Sequence, residues 1–143
     1  MSCSGSSTHI PKLLWILLVT YCCASLLHFV HNAEFVGDYP NLPVWLTRSK
    51  VYLAWFAIAT VGVVGVLLLK LGLRTLGFLF IAGYAALGFA GLDHYWVAPI
   101  SAHTLAMNAT IGFEVAAAAV LFALAIVLLF QSWRPLARTE TDA

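Results

Sequence analysis

Four long apolar stretches alternate with short polar ones along the chain, at about Leu13–Val30, Val51–Leu69, Leu76–Leu92 and Leu105–Phe130. An α-helix needs about 18–20 apolar residues to cross hydrocarbon, and each stretch is near or above that length. Spanning β-strands would read as short alternating segments, and none are present. Helices satisfy their own backbone hydrogen bonds, so helices are what the bilayer accepts. The pattern predicts an all-α integral membrane four-helix bundle, a single transmembrane domain over 1–143, with helices at about 13–32, 50–70, 75–94 and 104–131.

The polar intervals carry turn signals. Residues 31–50 form the long connection, with Gly37-Asp38, Tyr39-Pro40 and Leu42-Pro43 as breakers. The second connection is a short turn around Gly72, and the third holds Tyr95, Trp96, Pro99 and Ser101. Trp45, Tyr52 and Trp55 suit an interfacial aromatic belt, and Arg134-Pro135 ends the fourth helix.

Composition agrees. The chain has 143 residues, 62% hydrophobic and 9% charged, too little polar surface to cover a soluble fold. The formal charge of +1 and scattered basic residues give no grip on nucleic acid. Cys22 and Cys23 are neighbours in an apolar run and read as small hydrophobes rather than a disulfide. Together with Cys3 they make no Cys-x-x-Cys motif.

Lys12 followed by Leu13–Val19 resembles the start of a signal peptide, but the apolar run continues to Val30, and a retained helix is expected. With four spans, five basic residues (Lys12, Lys70, Arg74, Arg134, Arg138) lie on one side and two (Arg48, Lys50) on the other. That bias predicts both termini in the cytoplasm, and the overall hydropathy suggests a multi-pass protein of a bacterial inner membrane.

Against this apolar background the ionisable residues stand out, because such groups in hydrocarbon are costly. His28, His31 and Glu34 follow one another at three-residue steps near the outer end of the first helix. They span about 120° of its surface if the helix persists. Ala82, Ala86, Ala90 and Asp93 share a stripe on an ideal third helix, which would turn Asp93 into the bundle, with His94 beside it. His103, Met107, Thr110 and Glu114 share a stripe on the fourth, placing Glu114 near mid-bilayer, where a carboxylate needs a proton, a cation or a metal. Asn108-Ala109-Thr110 matches a glycosylation sequon, but its membrane position argues against that use.

Imidazole with carboxylate suits zinc, copper or iron. The expected ligands are His28, His31, Glu34, His103 and His94, with Glu114 and Asp93 as supporting or acid–base groups. The Glu-x-x-His pairs of di-iron bundles and the His-Glu-x-x-His motif are absent. The leading function is therefore binding of a transition metal or small ligand at an outward-facing site. Alternatives are a membrane oxidoreductase using non-covalent haem or quinone, an acid–base isomerase of a lipid-soluble substrate, and a non-catalytic accessory subunit. Expected partners are the lipid bilayer and a second copy of the chain or a larger membrane complex.

Overall fold

The structure is a computed structural model that describes residues 10–133. Cys3, Arg134 and Arg138 lie outside the described residues. Helices α1 (Lys12–Glu34) and α2 (Arg48–Lys70) are followed by α3 (Arg74–Leu87), a 3₁₀ segment (Gly88–Asp93) and the single turn α4 (His94–Val97). A 3₁₀ turn (Ile100–Ala102) then leads to α5 (Leu105–Trp133). Four stretches are long and apolar enough to cross a membrane: Lys12–Glu34, Arg48–Lys70, Arg74–Val97 and Leu105–Trp133. The described part is an all-helical bundle whose apolar outer surface is compatible with contact with a bilayer. In that bundle α1 packs on α2 and α5, and α3 packs on the same two helices.

Local chemistry accounts for the helix ends. Thr47 caps α2 by accepting from the Lys50 amide. At the other end of α2, Gly72 has a φ of 82°, the left-handed region that glycine enters without penalty. Its amide bonds the Leu69 carbonyl and the Leu73 amide bonds that of Leu68, the Schellman pattern that reverses a chain after a helix.

Each helix buries one stripe. On α1 the stripe is Leu14, Leu18, Tyr21, Ser25 and His28; on α5 it includes Met107, Ile111, Glu114, Ala118 and Leu121. The bundle has an apolar core towards one end, built on Tyr21, Phe78, Ile81 and Leu121. A smaller apolar cluster of Tyr39, Met107 and Ile111 lies at the other. His28 and Glu114 fall between the two.

The third span departs from the sequence reading. Its inward face is not Ala82, Ala86, Ala90 and Asp93: Ala86, Ala90 and Asp93 are exposed. After Leu87 the helix tightens to 3₁₀ geometry, with three residues per turn. Gly88, Gly91 and His94, at steps of three, therefore share the buried face. Asp93, one residue earlier, is turned about 120° away.

Glycine makes this tight segment fit. A Cβ on Gly88 would stand 2.6 Å from the Tyr21 hydroxyl and 2.8 Å from the Ala118 Cβ, whereas a Cβ on Gly83 would meet nothing within 4 Å. Gly88→Ala is expected to destabilise the bundle by about 1–3 kcal/mol, as overpacking does. Gly83→Ala, at an open position inside α3, should be neutral or stabilise by up to about 1 kcal/mol. Unfolding of both variants in detergent checks this pair, and equal effects would contradict the packing described.

Candidate functional site

Three imidazoles and one carboxylate occupy the polar layer: His28 on α1, His94 at the start of α4, His103 before α5, and Glu114 on α5. They are nearly sealed from solvent, with exposures of 2% for His28, 9% for His94, 6% for His103 and 1% for Glu114. The rings form a chain. The centroids of His28 and His94 are 5.4 Å apart and those of His94 and His103 6.1 Å apart, both edge to face.

Each imidazole has one nitrogen held by a partner. His28 Nδ1 contacts Glu114 Oε2. His94 Nε2 faces the Asn32 amide nitrogen at 3.2 Å. His103 Nδ1 donates to the Pro99 carbonyl at 3.1 Å. The opposite nitrogens, His28 Nε2, His94 Nδ1 and His103 Nε2, are buried and without a partner among the described residues, as is Asn32 Oδ1. Gly91 leaves room beside the His28–Glu114 pair: a Cβ there would lie 3.4 Å from Glu114 Oε2 and 3.5 Å from His28 Cε1.

Position along the chain explains the grouping. His28 continues the buried stripe of α1, and Glu114 that of α5. His94 reaches the same layer only because the 3₁₀ segment rotates it there. His103 stands on extended backbone just after the Ile100–Ala102 turn. Asn108 secures that turn: its amide donates to the Ile100 and His103 carbonyls at 3.1 and 3.3 Å. Its oxygen accepts from the Tyr95 hydroxyl at 2.9 Å. The sequon asparagine is thus a structural brace.

Tyr39, read from the sequence only as a turn residue, closes the layer. It is 4% exposed, its ring lies 4.9 Å from that of His94 and 6.4 Å from that of His103, and its hydroxyl bonds His31 Nδ1 at 2.9 Å. Asn41, with a φ of 57°, fastens the same loop by donating to the Val97 carbonyl at 2.9 Å. Burial pushes the Tyr39 phenol up to about 12, so it is protonated at neutral pH. An aromatic residue in a loop next to a histidine-bearing helix end was the available signal.

Two expected ligands stand apart. The helix does persist to Glu34, but a three-residue step turns it by about 60°, so His28, His31 and Glu34 fan outward instead of converging. His31 is half-buried and engaged with Tyr39. Glu34 is exposed at the rim, 2.6 Å from Arg48 Nη2 and 2.6 Å from the Tyr52 hydroxyl. Asp93 is exposed, facing away from the layer it was expected to support. Among the described residues no group of three or more His, Cys, Asp or Glu side chains is placed to hold a metal ion as the side chains stand.

The raised Tyr39 pKa has a pH consequence. The ordinary phenol ionises near 10 and the buried one near 12, so its contribution is complete below pH about 10 and is lost as pH climbs towards 12. Tyr39→Phe should be less stable than the parent by about 1 kcal/mol at pH 8, the size of one hydrogen bond. That gap should close between pH 10 and 12 in melting curves; a constant gap would show that the phenol does not ionise late. Comparison with protein-family models, with curated proteins and with solved structures finds no match for this chain.

Proposed function

We propose that this is a small multi-pass membrane protein that binds one transition-metal ion through His28, His94 and His103. The termini are taken to lie on the cytoplasmic side, so the site sits towards the outer face. One observation carries the reading: three neighbouring buried imidazoles each have one nitrogen engaged and the other left without a partner. Buried polar atoms are nearly always satisfied, so three orphan nitrogens in one layer need a reason.

The engaged nitrogens fit that role. A ligating histidine usually donates its other N–H to a carboxylate, a carbonyl or a similar acceptor, which sets the tautomer and aims the lone pair. Glu114 and the Pro99 carbonyl do this for His28 and His103. For His94, an Asn32 amide turned over presents its orphan oxygen to Nε2–H, leaving Nδ1 free to ligate. With metal–nitrogen bonds of about 2.0–2.1 Å, two imidazoles on one tetrahedral zinc have ring centroids about 5 Å apart. The 5.4 and 6.1 Å separations are close to that, which supports the reading for these two pairs.

Three imidazoles suit zinc, copper(II) or iron(II). Edge contact between the rings favours a small ion over haem, which needs a clear plane between its axial ligands. A second reading draws on the His28–Glu114 pair alone: a carboxylate–imidazole couple in a dry layer can move a proton on a lipid-soluble substrate.

Metal analysis of the purified full chain, loaded with zinc, copper or iron and then desalted, tests the first reading. About one ion per chain is expected for at least one metal. His94→Ala and His103→Ala should lose it, whereas His31→Ala and Glu34→Gln should retain it. Retention by the first pair, or no bound metal in the parent protein, would reject the reading.

A further inference from the structure

A second concavity lies away from the histidine layer, on the lipid-facing side of the bundle between α1 and α2. It has a volume of about 350 Å³, within the usual range for ligand pockets. Its walls are Trp15, Val19 and Cys22 of α1 with Val63 and Leu67 of α2, and Gly62 and Tyr84 form its floor. Gly62 is buried against the Tyr84 ring, where a Cβ would come within 2.7 Å; the missing side chain is what makes the floor recessed. From Gly62 to Lys70 the groove follows α2 for about 12 Å.

Its mouth is charged. Lys70 ends α2 and lines the groove, with its Nζ 5.9 Å from the centre of the Trp15 ring. Among the described residues it pairs with no carboxylate. The combination is amphipathic in the manner of a lipid: an apolar trough as long as part of an acyl chain, closed at its polar end by a cation over an interfacial tryptophan. A basic residue at this level attracts anionic headgroups, and a solvent-borne anion would have no use for the trough.

We propose that this groove binds one anionic phospholipid, an acyl chain lying along Val19, Val63 and Leu67 and the phosphate resting on Lys70. The site is independent of the metal reading, shares no residue with it, and would anchor α1 against α2 at the end of the bundle opposite the histidines.

Native mass spectrometry of the delipidated full chain in detergent tests this. Phosphatidylglycerol and phosphatidylcholine of identical chains are titrated in parallel. A single-lipid adduct should form with phosphatidylglycerol at about 5-fold lower concentration, the effect of one near-surface lysine. Lys70→Gln should remove that preference while keeping the weaker adduct. Val63→Trp fills the trough from a position that is 58% exposed, so folding is unaffected, and it should weaken both adducts. Equal retention of the two lipids by the parent protein, an unchanged preference in Lys70→Gln, or unchanged adducts in Val63→Trp would each overturn the proposal.

Discussion

A carboxylate buried about 14 Å along a helix long and apolar enough to cross a membrane is the constraint on which this bundle turns. Glu114 is 1% exposed, and a lone charge there would be costly. His28 answers it from the facing helix α1. That contact sets the rotation of α1 against α5, because both residues lie on stripes that bury their apolar neighbours in the same register. A buried pair of this kind adds little net stability, but breaking it by removing one member typically costs about 3–5 kcal/mol.

The remaining members of the layer are brought in by irregular backbone. Without the 3₁₀ segment, His94 would leave the inner face. Gly88 and Gly91 permit the segment to pass close to Tyr21 and to the His28–Glu114 pair. His103 is held by a braced turn, and Tyr39 by a loop fastened at Asn41. Rigid helices thus position the His28–Glu114 pair, while the ends of helices and two short connections close the site over it. Ring rotation is an inexpensive motion in such a layer compared with displacement of a span.

The four spans were readable from hydropathy because membrane length and the absence of backbone partners leave so few alternatives. His28 and Glu114 were readable too, since apolar spacing of three and four residues locates the inner face of a regular helix. What failed to show was any departure from regularity. Alanine spacing placed Asp93 inside because the Ala82, Ala86 and Ala90 stripe was taken for the inner face, whereas α3 buries Phe78, Ile81 and Ala85 and already exposes Ala86. Gly88 and Gly91 were the visible hint of a change in pitch, and they promote His94 in place of Asp93. On α1 the His31 and Glu34 steps were correctly spaced but rotate off the inner face, and Arg48, distant in sequence, supplies Glu34 with a partner. Tyr39 and Asn32 act through contacts across elements, which no local pattern encodes.

Convergence of three histidine nitrogens on one point is the central claim, and X-ray absorption of the zinc-loaded chain measures it most directly. A shell containing three imidazole nitrogens at about 2.0–2.1 Å is expected, and no such shell in His94→Ala, which should not retain the ion. A zinc environment made of oxygen or sulfur ligands, with no imidazole scattering, would contradict it.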